Sequence, residues 1–98
     1  MEIEFDNEEL STIYQTGKPP KGYQPNVIKA FIKTVKILQA NKRIEDLYKL
    51  NSLNFEALTN RQGFYSVRVT LQYRLEFKYN INGTVTIITI TKLSNHYK

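Results

Sequence analysis

Gln72-Tyr73-Arg74-Leu75-Glu76-Phe77-Lys78-Tyr79 alternates polar and apolar side chains at every step, the period-2 signature of a strand with one buried face. Gln72, Arg74, Glu76 and Lys78 share one face, and Tyr73, Leu75, Phe77 and Tyr79 share the other. Downstream, Asn82-Gly83 supplies a two-residue hairpin turn, because both central positions of a type I′ turn take positive φ. That turn predicts Ile81 opposite Thr84, Thr91 facing Arg74, and Ile88 and Ile90 on the face of Leu75 and Phe77. Upstream, Phe64 to Val69 alternates as well. A two-residue turn at Thr70-Leu71 would put Val67 on the polar face beside Arg74. A three-residue connection, Thr70 to Gln72, keeps the apolar faces together and sets Arg68 directly opposite Arg74. A slip of one residue turns the whole apolar set outward, so the three-residue connection is the expected one. Two arginines directly across a ladder repel. Either both fan into solvent, or an anion belongs between them.

The rest of the chain supplies elements to cover that hairpin pair. Ile3 to Phe5 reads as a short strand. Asp6 is positioned to cap a helix from about Asn7 to Gln15, with Glu8 and Glu9 complementing the dipole of its first turn. Leu10, Ile13 and Tyr14 form the apolar stripe, Gly17 is a natural residue to follow the helix, and Pro19-Pro20 forbid continuation. Pro25 opens a second helix to about Ala40. Its Ile28, Phe31, Ile32, Val35 and Leu38 recur at helical spacing and face the core. Lys29, Lys33 and Lys36 line the opposite side, either as a solvated face or as a row for an acidic or RNA partner. Ile44 to Leu50 reads as a helical turn with Ile44, Leu47 and Tyr48 inward, and Phe55 to Leu58 as a first central strand. The order β-α-α-β-β-β-β over a single domain, residues 1–98, gives an α+β fold. It is a small, mostly antiparallel sheet with the two N-terminal helices packed on one face.

Composition narrows the chemistry. Ninety-eight residues make one domain with a modest core. The absence of cysteine excludes disulfides and thiolate chemistry and fits a reducing cytoplasm. The acidic, strand-like start has no signal-peptide character, and no apolar run is long enough to span a bilayer. A net charge of +5 and a pI near 9.5 lean toward a polyanion such as nucleic acid, the ribosome or an acidic protein. There is no Gly-rich phosphate loop, serine elbow or HExxH. A dinuclear metal site would need more carboxylates than Glu45-Asp46 bring.

One histidine exists, His96. With the last strand ending near Lys92, the tail Leu93 to Lys98 leaves the sheet beside the Arg74–Thr91 row. One imidazole, the Tyr97 phenol and two guanidiniums then converge on one corner. Histidine titrates near neutrality and suits proton transfer, and guanidinium forks match phosphate oxygens. Attack of a 2′-hydroxyl on an RNA phosphodiester needs that combination. The plainer alternative leaves His96 as an exposed polar residue and Tyr97 as a packing one. Seven tyrosines and five phenylalanines permit base stacking, although Tyr65, Tyr73, Phe77 and Tyr79 fall on the core face.

Several blocks together resemble the HigB branch of the RelE/ParE toxin superfamily. They are Tyr14-Gln15-Thr16-Gly17-Lys18, Ile44-Glu45-Asp46-Leu47, Ala57-Leu58 with Arg61-Gln62-Gly63, and Gly63-Phe64-Tyr65-Ser66-Val67-Arg68-Val69 followed by Gln72-Tyr73-Arg74-Leu75-Glu76-Phe77. The resemblance covers nearly the whole chain. It implies a small RelE-like α+β ribonuclease that cleaves mRNA on the translating ribosome; because the RNA's own 2′-hydroxyl supplies the nucleophile, no metal or other cofactor is expected. It also implies neutralisation by a HigA-like helix-turn-helix antitoxin, with DNA contacted only through that antitoxin and no role for a membrane. Carried over residue by residue, His96 matches the family's near-terminal histidine, with Tyr97 beside it, and Arg68 and Arg74 match its sheet arginines. Arg61, Lys92, Asn95 and Glu56 complete the expected substrate-binding set. Two departures stand out. Glu56 occupies the place of a second histidine, and this chain has Ser94-Asn95-His96-Tyr97 where many members end in Asp-Tyr-His. The second proton-transfer role therefore falls to Tyr97, Glu56 or a lysine such as Lys92. A non-enzymatic alternative on the same fold is a ParE-type gyrase inhibitor or an inactive member.

Overall fold

In a computed structural model, which describes residues 1–95, the chain forms a five-stranded sheet in the order β1-β5-β4-β3-β2. The strands are β1 (Glu2–Phe5), β2 (Glu56–Ala57), β3 (Tyr65–Arg68), β4 (Tyr73–Asn82) and β5 (Val85–Asn95). Pairing is antiparallel except for β1, which runs parallel to β5 at one edge. Between β1 and β2 come α1 (Glu8–Thr16), α2 (Pro25–Ala40) and two 3₁₀ turns, Ile44–Lys49 and Asn51–Leu53.

Both helices obey their local signals. Asn7, rather than Asp6, caps α1: its Oδ1 accepts from the Leu10 N–H at 3.0 Å, satisfying one of the donors that the first turn leaves open. Gly17 ends α1 at φ 69°. Helix α2 starts at Pro25 and stops at Ala40, and buries Ile28, Phe31, Val35 and Leu38. These pack with Leu10 and Ile13 of α1 onto Val67, Leu75, Phe77, Ile88 and Ile90 of the sheet. Lys29, Lys33 and Lys36 are exposed. Tyr48 departs from expectation. It stays 63% exposed, its ring meeting Phe55 edge-on at 4.7 Å, because a 3₁₀ turn brings only every third side chain under the same face. The strand after the 3₁₀ turns is two residues long and lies at the sheet's edge, not its centre.

The first hairpin matches its parity argument. Arg68 pairs with Arg74 and Val67 with Leu75. Residues 70–72 form the connection, closed by N–H donation from Val69 to the Tyr73 carbonyl at 2.9 Å. The second hairpin corrects its argument twice. Asn82 pairs with Val85, so the turn is Gly83-Thr84, and only Gly83 takes positive φ, at 66°. That is the pattern of a type II′ turn, which asks for glycine at its first central position. Farther along, the register shifts between Glu76 and Phe77: Phe77 faces Ile90 whereas Glu76 faces Lys92. Thr91 is the extra residue of a β-bulge, its Oγ1 donating to the Glu76 carbonyl at 3.2 Å. The residue opposite Arg74 is therefore Ser94, not Thr91, and β5 continues to Asn95 instead of ending near Lys92. The bulge reverses parity, so Leu93 enters the core at 6% exposure and Lys92 and Ser94 turn to the helix-free face.

Candidate active site on the open sheet face

With the helices on one side, the other side of the sheet is left to the side chains that the register places there. One row across β3, β4 and β5 is Arg68, Arg74 and Ser94; the next is Ser66, Glu76 and Lys92, with Glu56 of β2 beyond Ser66. The two central arginines behave differently. Arg68 is exposed. Arg74 is 6% exposed, its guanidinium folded back over the sheet. Nε donates to Ser66 Oγ at 2.9 Å, and Nη2 donates to the Asn54 carbonyl at 2.7 Å. Nη2 also lies 3.5 Å from Glu56 Oε1. Burial pushes the Arg74 guanidinium below its ordinary pKa, Glu56 opposes that shift and Arg68 adds to it.

Arg74 thereby ties the segment between the 3₁₀ turns and β2 to the sheet. Asn54 is the one non-glycine residue with positive φ among the described residues, at 46°. This is a conformation that asparagine tolerates better than most. The turn it makes sends Phe55 into the core, stacked 6.0 Å from Phe77. The next residue, Glu56, faces outward with its side chain 54% exposed. Ser66, wholly buried beneath Arg74, was legible only as a small polar residue on the arginine face. Nothing in the sequence marks the Asn54 carbonyl as an arginine acceptor.

Arg61 joins this face from the turn before β3. Its Nη1 lies 3.4 Å from Glu76 Oε1, and its guanidinium carbon sits 3.9 Å from the centroid of the Phe64 ring. Lys92 is exposed opposite Glu76. Of the expected substrate-binding residues, then, Arg61, Lys92 and Glu56 share the arginine face. Asn95 does not: it pairs with Tyr73 on the other parity. Its pairing nevertheless brings the last described residue to the position next to the Arg74–Ser94 row. His96 and Tyr97, which follow it in the chain, lie outside the described residues.

The arrangement offers an exposed guanidinium, an anchored one, a lysine and a half-exposed carboxylate on an open surface. This suits an extended polyanion better than a small enclosed ligand. A groove of ≈ 560 Å³ lies elsewhere, between the start of α2 and the β3–β4 connection, lined by Gln24, Asn26, Val27, Thr70, Leu71 and Gln72. It contains none of these charges. Among the described residues no group of three or more His, Cys, Asp or Glu side chains could hold a metal ion.

Comparison with known proteins agrees with this architecture. The sequence model of the HigB-like toxins, "RelE-like toxin of type II toxin-antitoxin system HigB", matches residues 3–91. Among solved structures, the YoeB/ParE toxin from Agrobacterium tumefaciens superposes with a TM-score of 0.60 at 12% identity, covering 99% of this chain and 100% of that one. The YoeB dimer from Staphylococcus aureus gives 0.57 at 21% identity, covering 99% and 98%. The YoeB-YefM complex from the same organism gives 0.53 at 21% identity, with the same coverage. At these identities the structures establish a shared fold. No curated protein sequence matches the chain.

Proposed function

The chain belongs to the HigB-like family, RelE-like toxins of type II toxin–antitoxin systems, and on that premise we propose that it is itself an active mRNA endonuclease on the translating ribosome. The family is one of ribosome-dependent mRNA endonucleases. The observation that carries the reading to this chain is the pairing of Arg68 with Arg74 on a sheet face that no helix among the described residues covers. Arg68, exposed, contacts the scissile phosphate and stabilises the charge that builds up on it. Arg74, anchored by Ser66 and Asn54, supplies fixed positive charge behind Arg68 and holds Glu56 at the same surface. Glu56 takes the second proton-transfer role, with His96 as the first and Tyr97 as its neighbour in sequence. The 2′-hydroxyl of the RNA attacks the adjacent phosphorus, and the bond to the 5′-oxygen of the next nucleotide breaks. Between them, the two groups take the 2′-hydroxyl proton and supply one to that leaving oxygen. Lys92 and Arg61 add backbone contacts on the same face.

The partner that silences the toxin is an antitoxin, and the helix-turn-helix HigA type suits the family. The S. aureus relative was solved as a YoeB-YefM complex, which supports a protein partner for this chain. No helix among the described residues is long and apolar enough to cross a membrane. The ribosomal site proposed here is a cytoplasmic one. The test adds the purified chain to ribosomes programmed in vitro with a defined mRNA and reads the fragments. Cleavage that requires the ribosome supports the reading. Intact mRNA together with loss of gyrase supercoiling would replace it with the ParE-type alternative.

A further inference from the structure

The loop that leads into β3 gives Arg61 a support that a phosphate contact alone does not require. Arg61-Gln62-Gly63-Phe64 is a β-turn closed by N–H donation from Phe64 to the Arg61 carbonyl at 3.1 Å. Gly63, at φ 84°, takes the positive angle that the third position of a type II turn requires. A second bond, from the Leu58 N–H to the Phe64 carbonyl at 2.9 Å, fixes the turn's base. The turn fixes the backbones of Arg61 and Phe64, and their side chains meet with the guanidinium carbon 3.9 Å over the ring. Glu76 holds one edge of the guanidinium at 3.4 Å. The Arg61 side chain remains 46% exposed. A planar cation is thus supported from below by a ring and at one edge by a carboxylate, with much of its surface open to solvent.

Stability alone is a weak reason for this arrangement. A solvent-accessible ion pair contributes little, and fixing a long arginine costs side-chain entropy. The placement, by contrast, suits a ligand. The Arg61 head lies between the Phe64 ring and Glu76, and Glu76 belongs to the Ser66 row, two strand positions from Arg68. That is about 7 Å along the strand, within the span of one nucleotide whose phosphate lies against Arg68. Unstacked bases are bound by stacking on aromatic rings and on guanidinium planes. The geometry points to Arg61 and Phe64 as a stacking platform for a nucleobase of single-stranded RNA, the one adjoining the phosphate at Arg68. This rests on the RNA-cleaving reading of the same face and adds to it a contact with a base.

Two measurements on the full chain separate this inference from that reading. The first titrates the protein into a short single-stranded RNA carrying one 2-aminopurine, whose fluorescence is quenched by stacking. The parent quenches saturably. Phe64→Leu removes the ring that holds the Arg61 plane in place and weakens both binding and quenching several-fold. Phe64→Tyr, which keeps the ring, retains quenching, and Arg61→Lys, which keeps charge but not the plane, loses much of it. The second compares cleavage of ribosome-bound mRNA with an ordinary purine or an abasic ribose at that nucleotide. The parent favours the purine through KM, and Phe64→Leu removes the preference. Quenching that Phe64→Leu matches overturns the platform, as does a parent indifferent to the missing base. Phe64-dependent quenching without any cleavage keeps the platform and defeats the nuclease reading. Cleavage with neither quenching nor base preference does the reverse.

Discussion

Arg68 and Arg74 stand directly opposite each other on β3 and β4, yet one is exposed and the other is 6% exposed beneath its own hydrogen bonds. Like charges across a ladder repel, and here the repulsion is relieved by withdrawing Arg74 onto Ser66, Asn54 and Glu56. The two positions should therefore separate stability from activity. Arg74→Ala strands the Asn54 carbonyl and the buried Ser66 hydroxyl, so urea unfolding should show a loss of about 2–4 kcal/mol. Arg74→Lys keeps the charge but not the fork and should recover only part of it. Arg68→Ala should stay within about 0.5 kcal/mol of the parent while slowing ribosome-bound cleavage. Equal stability losses at the two positions would contradict the anchored-and-free division.

Removing Arg68 should also change how RNA association responds to salt. Each phosphate contact to a single strand contributes roughly 0.7 to the slope of log K against log salt. Arg68→Ala should lower that slope by about one contact's worth, measured from 50 to 200 mM salt with the parent alongside. Phe64→Leu, which removes no charge, should leave the slope unchanged.

Glu56 is half exposed, and Arg74 retains its Ser66 and Asn54 bonds without it. Glu56→Gln is therefore expected to cost under about 1 kcal/mol in stability. If its carboxylate moves a proton, cleavage falls roughly a hundredfold to ten-thousandfold. A Glu56→Gln protein that cleaves at the parental rate would transfer the second proton role to Tyr97 or Lys92.

His96→Ala should likewise reduce cleavage by roughly a hundredfold to ten-thousandfold, with thermal unfolding shifted by no more than about 0.5 kcal/mol. mRNA fragmentation on programmed ribosomes is the readout. Undiminished cleavage would remove the imidazole from the mechanism.

The β4–β5 turn offers a check on the fold itself. Gly83 alone carries positive φ there, with no atom near the position a Cβ would take. Gly83→Ala should therefore cost about 1–3 kcal/mol from backbone strain alone, and Asn82→Ala under about 0.5 kcal/mol. A large cost at both would mean that the turn is centred on Asn82-Gly83 after all.

Those residues also mark how far the sequence reaches. Alternation in residues 64–79 was enough to set Arg68 against Arg74, to bury Val67, Leu75 and Phe77, and to choose the three-residue connection. Side-chain direction in a strand follows from covalent geometry, and one buried face tolerates no slip. Pro25 and Gly17 likewise marked the helix limits through backbone constraints that act locally. The bulge at Thr91 was beyond that reach. Whether β5 carries an extra residue depends on what β4 presents across from it, and on Leu93 finding the core at Leu75. The same holds for Arg74. Its charge and face were readable from alternation, but its withdrawal from solvent required a serine on the neighbouring strand and a carbonyl twenty residues earlier in the chain. Periodicity fixes where a side chain starts; which partners are in reach of its far end is decided only when distant segments pack together.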